Sequence, residues 1–288
     1  MNEERIREIL EAFETVGVYK QEEVQAAIEI KDLITPYLIE AVERVASNPS
    51  EYADKPSYFA HIYAIMLLGH FKEPRSHDSI VKLAGVPGDL ADKLLGDTIT
   101  EDLSVILYRT CGGSLELIKS LAMKEDADDY CRKAAFDAMV FAVADGIVPR
   151  EDVVAFFSAM FDHLKETNSR SYVWSLLVDA ACNLGPEELM DKIKDAYDSG
   201  RIDSWYVSYK TLEGALEESV EDSLNQVKRE LERRSLDDLH EQMASWACFE
   251  PEAQAIIHDI EKPRQKGSKA GKTKRKMAKT SRKKNRRK

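Results

Sequence analysis

The chain has 288 residues, 43% of them hydrophobic and 32% charged, with a net charge of −11. That is enough apolar content for a sizeable core, as one elongated domain or two small ones. The longest apolar run, Ile62 to Leu68, is far too short to cross a bilayer. The four cysteines, Cys111, Cys131, Cys182 and Cys248, form no CxxC pair and no tight framework. They read as small buried hydrophobes in a reducing compartment rather than as a disulfide scaffold. The charge is divided. Residues 262–288 hold 15 of the 41 Lys and Arg and no acid, which leaves 26 bases against all 52 acids in the first 261 residues, a net of −26.

The opening MNEERIREIL is acidic and helical, without a basic stretch leading into an apolar one. The expectation is no signal peptide, no membrane and a cytoplasmic protein. Ile6, Ile9, Leu10 and Phe13 form the stripe of a first helix that Gly17 breaks, and a second runs from about Gln21 to Ile30. Thr35-Pro36 reads as the start of a third, since a proline in the first turn lacks only an orphan N–H. That helix buries Leu38, Ala41, Val42 and Val45, and Asn48-Pro49 stops it. Tyr58 to Phe71 is apolar on nearly every face, the pattern of a helix sandwiched between neighbours. The turn Lys72 to Arg75 and a cap at Ser76 lead into a helix to about Ala84. Gly85 to Asp97, rich in Gly, Pro and Asp, reads as a loop. Paired helices follow: Thr100 to Cys111 with Ser114 to Met123, Asp128 to Ala144 with Pro149 to His163, and Ser169 to Leu184 with Pro186 to Ser199. Trp205 to Tyr209 reads as a loop or helix entry. Glu213 to Arg234 reads as one exposed helix with a seam of Leu216, Val220, Leu224, Val227 and Leu231. Ser235 to Cys248 reads as the last helix, beside the aromatics Trp246 and Phe249.

A buried helix, a Gly-containing turn and an amphipathic helix recur at irregular intervals, as in YAIMLLGHFKEPRSHDSIVKLAG (63–85) and DAMVFAVADGIVPREDVVAFFSAM (137–160). The expected fold is all-α, a HEAT-like α-solenoid of antiparallel helix pairs over residues 1–250. A short linker, 251–261, and a disordered Lys/Arg-rich tail, 262–288, follow. The stretches YFAHIYAIMLLGHFKEPRSHD (58–78), GDTITEDLSVILYRTCGG (96–113), YVWSLLVDA (172–180) and DDLHEQMASWACF (237–249) resemble a bacterial family, domain of unknown function 1186. The resemblance covers about residues 5–250. It implies a HEAT-like helical fold and carries over no functional residue. Some members are similar to SEC-C proteins, with a Cys-rich zinc motif at the C-terminus; here no cysteine follows Cys248.

The tail reads KPRQKGSKAGKTKRKMAKTSRKKNRRK. It has too little apolar area to offset chain entropy. Its cations Lys272, Lys274, Arg275, Lys276, Lys279, Arg282, Lys283, Lys284, Arg286, Arg287 and Lys288 suit phosphates of RNA or the ribosome. Without aromatics it has no stacking platform for bases. Contact with the acidic body, a solubilising role and, in a eukaryote, nuclear targeting stay open. No metal or cofactor motif is present: the histidine spacing fits no ligand set, and there is no HExxH, GxxxxGK[ST], GxGxxG or GxSxG. Gly112-Gly113 reads as a turn and Cys111 as a buried thiol. The leading expectation is a non-enzymatic interaction protein, its groove open to a protein partner. The alternative is an enzyme with a polar site in that groove, built from His61, His70, Arg75, His77, Asp97, Glu101, Asp102 and Arg109.

Overall fold

A computed structural model describes residues 2–166 and 171–250. The linker, the basic tail and the expected helix start at Ser169 lie outside the described residues. The described residues fold into seventeen α-helices and three short 3₁₀ turns, with two isolated bridges and no strand.

In the N-terminal third, α1 (Asn2–Phe13) and α2 (Gln21–Glu29) cover one end of the core with Ile6, Ile9, Phe13, Val24 and Ala27. α3 (Lys31–Ser47) begins a turn earlier than Thr35-Pro36 suggests, and Pro36 lies inside it. A proline this near the start removes one backbone bond, while the Thr35 hydroxyl donates to Lys31 O at 2.7 Å. Asn48-Pro49 ends α3, but Pro49 also serves as the first residue of the short α4 (Pro49–Ala53). α5 (Ala60–Phe71) is buried along its whole length except at His70. A left-handed Lys72 stops it where glycine is usual, and α6 (His77–Ala84) follows a 3₁₀ turn.

The expected loop from Gly85 to Asp97 contains a helix, α7 (Gly88–Leu95), held down by Ala91, Leu94 and Leu95. One turn, α8 (Thr98–Glu101), precedes α9 (Leu103–Thr110), and Gly112 and Gly113, at φ 59° and 87°, make the turn to α10 (Glu116–Met123). Two consecutive left-handed residues are a position only glycine takes cheaply. α11 (Asp129–Ala144) is capped by the Asp128 carboxylate, which accepts from the N–H groups of Tyr130 and Cys131. Beyond it lie α12 (Arg150–Glu166), α13 (Val173–Cys182) and α14 (Met190–Asp198). The expected single helix from Glu213 is two, α15 (Tyr209–Glu217) and α16 (Val220–Arg233). Ser219 breaks the run by accepting from Asp222 N–H at 3.1 Å. The expected last helix shrinks to α17 (Leu239–Met243) and a 3₁₀ turn at Ala247–Phe249.

One row of helices touches in chain order: α3 lies against α5, α5 against α9, α9 against α11 and α11 against α13. α6, α10 and α12 also pack against helices of this row. Arg132, fully buried on α11, locks two neighbours by donating from Nε to Ala122 O at 2.8 Å, at the electronegative end of α10. α16 lies along α11, and residues 234–249 then run back towards the N-terminal end. Gly69 makes room for them, since a Cβ there would sit 2.7 Å from Leu236 Cδ1. No helix among the described residues is long and apolar enough to cross a membrane.

The Asp128 cap opens the helix that most others touch. Asp128→Ala is expected to lower stability by about 1 kcal/mol, read as a lower midpoint of urea unfolding at unchanged m-value.

Candidate functional site

The eight polar groups expected in one groove are spread over three settings. His61 is in the core, its Nε2 donating to Leu94 O at 2.7 Å and its Nδ1 buried without a hydrogen-bond partner among the described residues. Burial pushes its pKa down to about 4, so the ring is neutral. His77 is also buried and neutral, pushed down to about 4 by burial. Thr110 gives its hydroxyl proton to Ile106 O at 2.8 Å, so His77 Nδ1, 2.9 Å from that oxygen, carries the ring proton. Arg75 and Asp97 are exposed; Arg75 clamps Glu73 through two 2.8 Å bonds.

The remaining four lie under residues 234–242. His70 Nδ1 donates to Leu236 O at 2.7 Å. Arg109 donates from Nε to Gly69 O at 2.8 Å and from Nη2 to Asp237 at 2.7 Å. Asp102 Oδ1 accepts from Gln242 at 2.7 Å, and the Glu101 carbonyl accepts from Arg234 at 2.6 Å. The groove around these groups is thus filled by the chain's own C-terminal residues. Their far end is anchored by Phe249, whose ring packs on Tyr19, Phe59 and Tyr63. Burial pushes the thiols of Cys182 and Cys248 up to about 12 and 11, away from nucleophilic thiolate.

A different cluster stands open. A cleft of about 190 Å³ is lined by Ile99, Thr100, Ser104, Tyr130, Lys133, Ala134, Asp137 and Tyr206. On its floor the nearly buried Lys133 ammonium is held by Asp137, one turn along α11, and by Asp179 of α13 at 3.1 Å. Burial alone would lower the Lys133 pKa, but the two carboxylates outweigh it and hold the ammonium charged well above its usual range. Tyrosines form the rim, with Tyr172 5.1 Å from Tyr206 and 6.2 Å from Tyr130 between ring centres. The loop carrying Tyr206 is pinned on both sides: Asp203 N–H donates to Ser175 Oγ at 2.8 Å and Tyr197 OH to Val207 O at 2.7 Å. At its tip Trp205 is 97% exposed. Lys133 and Asp137 are four apart in sequence, a visible helix pair, but Asp179 and Tyr206 join them only through the fold.

A family model described as "Protein of unknown function (DUF1186)" matches residues 4–250. The chain belongs to that family. It is 32% identical over 231 residues to uncharacterized proteins of Chlamydia trachomatis serovar D and Chlamydia muridarum, covering 80% of this chain and 90% and 91% of theirs. No solved structure matches it. The DUF1186 region ends at residue 250, just past the Phe249 anchor, so the self-filling segment belongs to the matched region and the basic residues follow it.

Asp102 gives this arrangement a pH signature. Burial raises its pKa from 3.8 to about 6, against the lowering effect of the Gln242 bond. The native state therefore holds a proton that the unfolded chain releases near 3.8, so this group's contribution to stability falls as pH rises from about 4 to 6. Asp102→Asn is expected to be more stable than the parent by on the order of 2 kcal/mol at pH 7.5. The gap should close by pH 4, measured by urea unfolding at both values.

Proposed function

We propose that the chain is a non-enzymatic interaction protein of the cytoplasm. A body of residues 1–250 receives a protein partner, residues 251–261 link it to the basic segment, and residues 262–288 add sequence-independent contacts to RNA, the ribosome or another polyanion. The observation that carries this reading is the division of charge, −26 on the first 261 residues and +15 on the last 27. A segment so rich in Lys and Arg gains affinity for phosphates by releasing counterions.

The order of contacts from α3 to α13 supports an α-solenoid of the HEAT type, with one helix of each pair in an inner row and its partner in an outer one. Trp205 supports a partner surface on the body. A large aromatic held almost wholly in water on a pinned loop is the kind of residue that anchors interfaces. The rival reading, an enzyme near His61, His70 and Arg109, has less support. His61 spends its one ring N–H on Leu94, and the groove beside His70 and Arg109 is taken by Leu236 and Asp237.

Fluorescence anisotropy on labelled single-stranded RNA tests the polyanion role. The full chain is expected to bind with an affinity that falls steeply with salt, and a 1–261 truncation to lose most of that affinity and flatten the slope by about 0.7 per lost phosphate contact. Equal binding by the two would overturn it.

A further inference from the structure

The cleft at Lys133 has no assigned ligand, and its chemistry selects a narrow class. At about 190 Å³ it is smaller than the usual small-molecule pocket and suits a single extended side chain. The cation in its lining and the arginine beside it are already engaged. Lys133 is held by Asp137 and Asp179, and Arg234 donates to the carbonyls of Thr100 and Glu101 and to Ser104 Oγ. With those cations engaged, the groups still presented to a newcomer are a carboxylate and aromatic rings. The Asp179 side chain is 37% exposed, and the exposed rings of Tyr130, Tyr206 and Trp205 offer π-faces.

We infer that this cleft binds a Lys or Arg side chain, and that its occupant is the chain's own basic segment, residues 262–288. Charge complementarity points to that occupant, 15 cations without one acid set against a body of net −26. Chain length permits it. Arg234 touches Ser104, which lines the cleft, at 3.0 Å, and fifteen residues later Phe249 packs on Tyr63. Fifteen extended residues span at most about 54 Å, so every residue beyond about 264 can return to the cleft, and the 39 residues after Phe249 reach up to about 140 Å. The inference shares the charge division with the proposed function but does not need polyanion binding.

The test uses the full chain labelled with 5-fluorotryptophan, whose three indoles are Trp174, Trp205 and Trp246, with Trp205→Phe assigning the central resonance. In salt below about 0.1 M, where the Debye length is about 10 Å, Trp205 is expected to resonate differently in the parent and in a full chain whose 15 tail Lys and Arg are Gln. Trp174, 2% exposed, should not move. The shift should vanish in high salt and be independent of protein concentration. Trp205→Ala with Tyr130→Ala, both exposed positions, should raise affinity for labelled RNA by roughly tenfold, the factor expected where about one tail in ten is free. An identical Trp205 signal in parent and Gln variant overturns the inference, and a shift that grows with protein concentration overturns it in favour of a second copy's tail. RNA binding without the Trp205 shift would leave the proposed function standing and this inference fallen; the shift without RNA binding would do the reverse.

Discussion

The structure depends on covering two helices with little surface to spare for water. α5 is buried everywhere except at His70, and α11 leaves only Asp129, Tyr130, Lys133 and Asp137 partly exposed, so each must be enclosed by neighbours along most of its surface. That requirement places α3 and α9 around α5, and α9, α10, α13 and α16 around α11. It also decides the fate of polar residues on those helices. His61 and Arg132 are enclosed with the core, and each spends one donor on a nearby backbone carbonyl, Leu94 O and Ala122 O. A buried polar group left without such a bond costs on the order of 1–3 kcal/mol, so these bonds keep the core consistent.

The contrast between the filled groove and the open cleft follows from where the chain ends its path. Residues 234–249 supply Leu236, Leu239, Met243 and Phe249 as apolar anchors, all buried. Between the anchors, His70 and Arg109 bind Leu236 O and the Asp237 carboxylate. The cleft at Lys133 lies beside the start of this segment and stays uncovered. Its floor is electrically satisfied and its rim is aromatic, a combination suited to reversible contact rather than to permanent burial.

Much of the fold was legible in residue order, because α5, α11 and α13 are dense in apolar residues and the glycines mark turns. The misreadings have local causes. Gly88 and the two aspartates of α7 hid the spacing of Leu90, Ala91, Leu94 and Leu95 that makes it a helix. The break before α16 had a visible signal, Ser219 three residues ahead of Asp222, but the leucine seam running through it dominated. In residues 235–248 the spacing of Leu236, Leu239 and Met243 imitates a helix. There the Asp238 cap forces the helix to start late, and carbonyls upstream bond to His70 instead. The Lys133 cleft was illegible for a different reason: its residues come from helices and loops spread from Ile99 to Tyr206, and no local pattern unites them.

The return of residues 234–249 over Gly69 also bears on how the protein is made. The contacts of Leu236 with Gly69, Phe249 with Tyr19 and Gln242 with Asp102 join the last part of the body to its first half. On the ribosome the N-terminal helices emerge long before the residues that cover them. Until residue 249 has left the exit tunnel, the surface around Phe59, Tyr63 and Gly69 is an apolar face of a nascent chain.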